Sequence, residues 1–400
     1  MKKPMDKTNN NSKPNRLFFV VVIAGIALRL LVATCGHNYD MDSCRIAADI
    51  VNRGGNVYAG TERYNYGPIW FHILHALNMV AGHNETAFRY LVAGFLSLVD
   101  VGIFSILWRK FGKLAASLFF LNPVSVIITG YDCQFDNCAI LLGLLAALLV
   151  GDEFDKPISG RKFWGLVVLG ISLATKHLLF AFPLWLAVKQ KGILQKIAVI
   201  LTPVFVFILS FVPYWHEGKQ GIIQNVFLYR SLTNEYFYRL FVPMGVQFMF
   251  NSQMLWVLLL VIFAFIYRRK NTVESLLLYT CVLVATSPAI ASQYLAIPIP
   301  FVVTHLNPFT ILYVAIATLH LLIDVNDFHL ASLIRKTGID TSVLTSGFPI
   351  KDNSLTSTGC ADIAIYTLCL GLVWVTWRQN IFTLLEKCVF EVKNQLGFKK

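Results

Sequence analysis

The sequence predicts an all-α polytopic membrane protein, and three observations lead to that fold class. Hydrophobic residues make up 56% of the 400 positions and charged residues 14%, whereas soluble domains are about half apolar and about a quarter charged. The mean hydropathy is +0.61. Apolar stretches that are long enough for a spanning helix, roughly 17 to 25 residues, recur along the whole chain.

The net charge of +12 comes from basic clusters that alternate with these apolar stretches. This alternation is typical of cytoplasmic loops under the positive-inside rule, so we exclude a nucleic-acid partner and predict that both termini are cytoplasmic. The clusters are Lys2 to Arg16, Arg109 to Lys113, Lys156 to Lys162, Lys189 to Lys196, Arg268 to Lys270, and Arg378 to Lys400.

Placing every basic cluster inside predicts about 11 to 13 transmembrane helices in a single integral-membrane domain, 1–400. We divide this domain into a catalytic module at 17–213, a variable module at 214–377 and a cytoplasmic basic tail at 378–400. The predicted spans are 17–35, 88–107, 114–129, 137–150, 163–175, 178–188, 193–213, 241–267, 273–287, 294–305, 308–323 and 360–377.

Two long external segments are predicted, at 36–87 and 214–240, and a polar loop at 324–358. In the first segment, SCRIAADIVNRGG predicts a short amphipathic helix that ends at its two glycines. The stretch GPIWFHILHALNMVAG begins a second helix at Pro68. This helix is too short to cross the membrane, and its polar side (His72, His75 and Asn78) predicts that it lies at the interface.

Polar residues collect at the predicted external ends of different spans. Ionisable groups are costly at membrane depth and usually face a polar cavity, so this set predicts an active site at the membrane surface. A carrier would more often have charges near the midplane and an internal repeat, and we see no repeat. The residues are Asp40, Asp42, Asp132, Gln134, Asp136, Lys176, His177, Gln293 and Tyr294.

Ordered motifs in the chain resemble those of one enzyme family. They are the D-x-D of GHNYDMDSC with the later YNYGPIW, the loop NPVSVIITGYDCQFDN, the span end ATKHLLFAFP, and SQYLAIPIPF. This ordered set, over roughly 20 to 300, resembles the GT-C glycosyltransferases that use polyprenyl-phosphate sugars, including bacterial members and the GPI-anchor mannosyltransferase. Tyr131 and Cys44 depart from the usual pattern of the family. These departures leave the identity of the substrate undetermined, but not the class of enzyme that the motifs resemble.

The resemblance implies a GT-C fold and the transfer of a hexose, such as mannose or glucose, with inversion at the sugar. The donor would be a polyprenyl-phosphate sugar, and the acceptor a hydroxyl of a glycan, lipid or protein at the external or luminal face. The membrane would be the bacterial plasma membrane or the endoplasmic reticulum, with membrane lipids around the protein. Two alternatives stay open: a lipid-linked saccharide transporter or polymerase, and a non-enzymatic assembly subunit.

This chemistry needs a carboxylate that accepts the proton of the acceptor hydroxyl. Asp40 directly follows the first span and matches the first acidic residue of the family motif, so we assign it as the base. Asp42 is the alternative base, although Asp42 or Ser43 could instead cap the helix RIAADIV.

Charge on the departing phosphate needs cations and hydrogen-bond donors. Lys176 is the candidate for the donor phosphate, or else a lysine that snorkels from a span end. Each remaining candidate could also have a purely structural role. These roles are a hydrogen bond at an interface, a solvated position in a loop, an anchor at the end of a span, or a place in an aromatic belt at the membrane surface. These candidates for donor or substrate binding are His177, Gln134, Asp136, Asp132, Arg230, Arg239, Gln293 and Tyr294.

No metal or other cofactor is expected. The His72 and His75 pair lacks a third ligand, and a donor without a nucleotide gives the D-x-D no diphosphate to clamp through a metal. The eight cysteines show no metal-binding spacing. Cys44 and Cys133 could both lie outside, which leaves a disulfide between them open.

Overall fold

The computed structural model describes residues 16–229, 251–324, 328–330, 334 and 359–378. All regular elements in these ranges are helices. The first nine α-helices are α1 (Arg16–Thr34), α2 (Tyr39–Asn52), α3 (Val57–Gly60), α4 (Pro68–Val80), α5 (Glu85–Lys110), α6 (Lys113–Phe120), α7 (Pro123–Gly130), α8 (Asp136–Val150) and α9 (Gly160–Thr175).

Short helical turns separate several of the later helices. They are 3₁₀ turns at His177–Leu179, Val212–Tyr214 and Ser292–Ala296 and a π-helical turn at Ile222–Phe227. The α-helices are α10 (Phe182–Ala187), α11 (Ile193–Leu209), α12 (Trp215–Gly221), α13 (Ser252–Ile266), α14 (Thr272–Ala285), α15 (Ile299–Thr304), α16 (Pro308–Ile323) and α17 (Gly359–Arg378).

Asparagine side chains begin many of these helices. Each accepts a hydrogen bond from a backbone N–H of the first turn, which would otherwise lack a partner. At α7 and α16 the asparagine is followed by a proline, whose fixed φ suits the first helical position. The capping residues include Asn38, Asn84, Asn122, Asn271 and Asn307.

Four helices in the described ranges are long and apolar enough to cross a membrane. They are Arg16–Thr34, Glu85–Lys110, Ile193–Phe227 and Gly359–Arg378, and the bent pair α6 and α7 would make a fifth. Only 17% of the most apolar window of Ile193–Phe227 is buried inside the protein, which suits a helix that faces lipid. The predicted all-α polytopic membrane fold is thus confirmed.

The total of 11 to 13 spans stays a prediction, and so does the division into two modules. Five shorter apolar helices accompany the long ones: Asp136–Val150, Ser252–Ile266, Thr272–Ala285, Ser292–Thr304 and Pro308–Ile323.

The structure adds detail to two predicted spans, whose positions in the membrane stay predictions. The stretch 114–129 is not one helix, because Asn122 caps a new helix at Pro123 and the two halves bend by 44°. The helix predicted to leave the membrane at residue 213 continues through 3₁₀, α and π turns to Phe227, so the segment 214–240 begins as helix. The rest of that segment, from residue 230, lies outside the described residues.

Helix α4, predicted to lie at the membrane interface, packs one face against the protein; its place at the interface stays a prediction. It contacts α2, α5 and α9, and Trp70, Phe71 and Leu74 are buried. Two residues of its predicted polar side are bonded to α2: His75 Nδ1 to Asn52, and Asn78 Nδ2 to Asp49 Oδ1 at 3.0 Å.

Three basic loops lie together at one end of the bundle. The Lys189 ammonium donates to the carbonyl of Lys270 and to Ser275 Oγ, at 2.5 and 2.6 Å. Lys191 pairs with Asp155 at 2.9 Å. The loops that carry the clusters Lys156 to Lys162, Lys189 to Lys196 and Arg268 to Lys270 are therefore on the same side of the bundle.

Candidate active site

Asp40 lies in the first turn of α2. The Asn38 side chain accepts a hydrogen bond from the Asp40 backbone N–H at 3.1 Å and so caps the helix. The Asp40 carboxylate, through Oδ2, accepts a hydrogen bond from Gln134 Nε2. This contact joins the D-x-D segment to the linker between α7 and α8.

Asp42 points to a different neighbour. Its carboxylate lies 3.2 Å from His37 Nε2, and its side chain is 48% exposed. The alternative in which Asp42 or Ser43 caps the helix is wrong, because Asn38 caps α2 and the helix begins at Tyr39. The two carboxylates of the D-x-D therefore have different surroundings.

Lys176 and Asp136 form a buried ion pair. Lys176 follows the last residue of α9 in an extended conformation, and Asp136 begins α8. Lys176 Nζ donates to Asp136 Oδ2 at 2.8 Å, with the side chains 7% and 2% exposed. A snorkelling lysine would reach water, so that alternative is wrong for Lys176.

Aromatic rings enclose this ion pair. The Lys176 ammonium lies 4.7 Å from the ring centre of Phe135 and 5.1 Å from that of Tyr66, within the range of cation–π attraction. Phe135 stacks on Trp70 with ring centres 4.2 Å apart. Tyr66 was not among the predicted site residues, although it lies in the YNYGPIW motif.

The YNYGPIW segment can approach α9 closely because residue 67 is glycine. A Cβ built on Gly67 would lie 1.9 Å from the carbonyl oxygen of Ala174. No real side chain tolerates such a distance, so any larger residue would push the segment away from α9. Gly67 thus holds Tyr66 near Lys176, two residues beyond Ala174.

The pKa of Asp40 is raised above its ordinary value. Burial is the largest cause; the positive charge of Lys176 and the hydrogen bond from Gln134 oppose it, and the nearby carboxylate of Asp136 adds to the rise. Arg63 opposes it more weakly. A raised pKa suits a general base that must accept a proton near neutral pH.

Arg63 is a second residue that the sequence reasoning missed. It donates from Nε to Ser43 Oγ at 3.1 Å and from Nη2 to the Tyr39 carbonyl at 3.2 Å. Its guanidinium lies 3.6 Å from the ring centre of Tyr39. Arg63 therefore holds the first turn of α2 from outside.

A cavity of about 400 Å³ adjoins the ion pair. One part of its lining is polar: Asn65, Tyr66, Lys176, His177, Ser287, Gln293 and Tyr294. Another part is an apolar wall: Leu178, Phe180, Trp256, Val257, Leu283, Val284, Pro288 and Ile297. The cavity is thus amphipathic, and it brings together two pairs of predicted residues, Lys176 with His177 and Gln293 with Tyr294, which follow two different predicted spans.

His177 faces this cavity in a neutral form. Burial, and secondarily the adjacent charge of Lys176, lowers its pKa to about 4. Its Nδ1 atom is buried and has no hydrogen-bond partner in the part of the chain that the structure describes. An unsatisfied buried polar atom costs free energy unless a ligand or water completes it, so His177 is free to bond a ligand.

The remaining predicted residues divide into two groups. Asp132, in the linker 131–135, and Asp136 are each 1% exposed, so loop solvation is wrong as their alternative role. The buried Gln134 Oε1 has no partner among the described residues. Arg230 and Arg239 lie outside the described residues, although their neighbour Tyr229 lines the cavity.

One group of three side chains could hold a metal ion within the described ranges. The ligand atoms of His37, Asp42 and Glu85 lie within 4.8 Å of one another. However, Arg45 pairs with Glu85, and Arg89 Nη1 lies 3.2 Å from His37 Nδ1. These cations already neutralise the group, so it fits a divalent ion poorly.

Cys44 and Cys133 are both free thiols, so the structure contains no disulfide between them. Burial raises the pKa of Cys44 to about 12 and raises that of Cys133 further. Both are therefore protonated and unreactive near neutral pH.

Comparisons with known proteins add one structural likeness. No protein-family model matches the chain, and no curated protein sequence matches it. Among solved structures, the chain is similar to the crystal structure of ArnT from Cupriavidus metallidurans in the apo state. The identity is 14% and the TM-score 0.48, over 88% of this chain and 75% of that one.

Proposed function

We propose that the chain is a GT-C-type glycosyltransferase that moves a hexose, mannose or glucose, from a polyprenyl-phosphate donor to an acceptor hydroxyl. One observation carries the proposal: an amphipathic cavity lies beside the buried Lys176–Asp136 pair, and Gln134, two residues before Asp136, donates a hydrogen bond to the Asp40 carboxylate, whose pKa is raised. The ordered motifs from GHNYDMDSC to SQYLAIPIPF support the same class.

The donor phosphate binds at Lys176, and its polyprenyl chain lies along the apolar wall with Trp256 and Leu283. A lysine ammonium has three N–H donors, and Lys176 donates one of them to Asp136. The two carboxylates Asp40 and Asp136 leave little net positive charge for an anion. We therefore assign Arg230 and Arg239 as the further cations that balance the phosphate.

Transfer is a single displacement at the anomeric carbon. The acceptor oxygen forms the new bond to that carbon while the bond to the phosphate oxygen breaks, and the electron pair leaves with the phosphate. The acceptor proton passes to Asp40. Gln134 orients the Asp40 carboxylate through its hydrogen bond, and no metal takes part.

The sugar binds among uncharged polar groups. Neutral His177 and Gln293 line the same cavity as Lys176. Amide and imidazole groups suit hydroxyls, because they can both donate and accept hydrogen bonds. The acceptor, a glycan, lipid or protein, approaches Asp40 from the external or luminal side.

The test is sugar transfer by purified protein in lipid nanodiscs. Donors are dolichyl- and undecaprenyl-phosphate mannose and glucose, each offered with a panel of glycan, lipid and peptide acceptors. We expect inverted product with at least one donor, and a rate lower by about 10²–10⁴-fold from the Asp40→Asn variant. No transfer with any donor, together with movement of donor across vesicle membranes without acceptor, would instead establish the transporter.

A further inference from the structure

Two charged residues of predicted spans meet in the core of the bundle. Arg29 on α1 and Asp100 on α5 form an ion pair, Nε to Oδ2, of 2.9 Å, and both side chains are 0% exposed. The rest of the guanidinium donates to the carbonyls of Gly25 and Phe120 and to Ser125 Oγ, at 3.1, 2.7 and 3.0 Å. Ionisable groups at this depth are costly, which makes the pair a candidate for a role beyond packing.

Asp100 accepts two further hydrogen bonds, which come from the two helices on either side of the linker 131–135. Thr129 Oγ1 donates to Oδ2 at 2.8 Å, and Asn137 Nδ2 donates to Oδ1 at 2.6 Å. Thr129 is the second-last residue of α7, and Asn137 is the second residue of α8. One carboxylate therefore holds both ends of the linker 131–135.

The linker's own backbone bonds cannot replace this tie. Tyr131 and Gln134 donate their backbone N–H groups to the carbonyls of Ile127 and Ile128, both on α7. These bonds attach the linker to α7, and Cys138 in α8 donates its backbone N–H to the linker carbonyl of Phe135 at 2.9 Å. None of these bonds joins α7 to α8 directly, as the Asp100 carboxylate does. Bonds to an ionised carboxylate are also about twice as strong as those between neutral groups.

The held linker carries two contacts of the candidate active site. Gln134 lies inside it and donates to Asp40. Asp136 directly follows it and pairs with Lys176. We propose that Asp100 is a positioning residue, which fixes the linker 131–135 so that Gln134 meets Asp40 while Asp136 meets Lys176. Its catalytic consequence rests on the proposed glycosyl transfer, whereas the positioning itself does not.

The test uses a thiol that the linker already carries. Cys133 lies within the linker and is 2% exposed, and Cys281 on α14 is 0% exposed. Maleimide labelling of the full-length protein in nanodiscs, followed by mass spectrometry, reports how often each site opens. Asp100→Asn would leave Arg29 unpaired and risks misfolding, so the informative variant is the nearly isosteric Thr129→Val.

We expect Thr129→Val to label Cys133 about tenfold faster, because a bond to a charged group is lost and the linker opens more often. The conservative variant Thr129→Ser keeps the hydroxyl and should label like the wild type. Thr280→Val is the matched control, since the buried Thr280 donates only to Leu277 of its own helix. Cys281 should stay unreactive in all three variants.

Activity completes the test. With the active donor, kcat should fall in Thr129→Val and stay normal in Thr129→Ser and Thr280→Val. Unchanged labelling of Cys133, equal acceleration at Cys133 and Cys281, or altered labelling with normal kcat would each overturn the proposal. If labelling follows the expected pattern but the wild type transfers no sugar, the positioning of the linker stands and the proposed function fails.

Discussion

Lys176 Nζ donates to Asp136 Oδ2 at 2.8 Å, and both side chains are more than nine-tenths buried. A buried ion pair is weak support for stability by itself, because desolvation offsets much of the attraction. Removing one partner is nevertheless costly, since it leaves the other charge buried and alone. Because the pair contributes little to stability, we expect it to have a functional role. Lys176 lines the adjacent cavity, where it can bind an anion.

We expect Lys176→Met to lose about 3–5 kcal/mol of stability and to raise the donor KM or abolish turnover. The double variant Lys176→Met/Asp136→Leu removes both charges, so it should regain stability but not activity. Thermal unfolding and donor kinetics in nanodiscs measure the two effects. The control is Lys191→Met, because the Lys191–Asp155 pair is exposed and such pairs contribute little. Normal donor kinetics in the folded double variant would show that Lys176 does not bind the donor.

We expect Asp40→Asn to lower the transfer rate by about 10²–10⁴-fold, the usual contribution of a general base. Asparagine keeps the shape of the side chain but cannot accept the proton. Asp42→Asn should cost much less, because that carboxylate is half exposed and faces His37. Transfer rates at matched protein levels decide the matter. A dead Asp42→Asn with an active Asp40→Asn would reverse the assignment, and two active variants would exclude an enzymatic role for this segment.

The pH dependence should follow Asp40. A base works only when ionised, so kcat/KM falls as the pH drops through its pKa. Burial raises the pKa of Asp40 and outweighs the opposing influence of Lys176, Gln134 and Arg63. The acidic limb of the pH–rate profile, where kcat/KM falls, should therefore have its midpoint above the ordinary aspartate pKa of about 3.9. Gln134→Leu removes a donor to the carboxylate and should move the limb higher still. A limb at or below the ordinary value contradicts Asp40 as the base.

We expect transfer to persist in EDTA, since no step of the proposed displacement uses a metal. The measurement is the rate after chelation and gel filtration, with and without added Mg²⁺, Mn²⁺ or Zn²⁺. The informative contrast is His37→Ala, which removes one member of the His37, Asp42 and Glu85 group. Loss of activity on chelation, with restoration by one ion in the wild type but not in His37→Ala, would make that group a metal site.

We expect cysteines introduced at positions 110 and 269 to be inaccessible to impermeant reagents from outside intact cells. Both positions lie in basic clusters, which the positive-inside rule places in the cytoplasm. A cysteine at position 83 is the control, because His83 is exposed in the turn between α4 and α5 and should be labelled from outside. Labelling at 110 or 269 would invert the predicted orientation.

The sequence is a good guide to the helices because their signals are local. Apolar runs and capping asparagines such as Asn84 and Asn271 define most helix ends to within a few residues. The bend at Asn122 and Pro123 was readable in the same way, since the pair is a strong start signal inside an apolar run. Hydropathy alone does not reveal the bend, because both halves of the run are apolar.

The site was harder to predict because its partners are distant in sequence. The motifs indicate that Asp40, Gln134, Asp136 and Lys176 belong together, but not that Gln134 meets Asp40 while Asp136 meets Lys176. Arg29 and Asp100 did leave a signal, since each is a charge inside a predicted span, where charges usually pair. Their pairing depends on how α1 and α5 pack, which periodicity does not determine.

The contact between Gly67 and Ala174 also constrains how the protein is made. The segment before Gly67 is synthesised about a quarter of the chain earlier than α9, yet its final position depends on the carbonyl of Ala174. During synthesis this segment therefore cannot reach its final position until α9 has been inserted. Until then Asp40 and Lys176 cannot lie close together, so the candidate active site cannot form before α9 is in place.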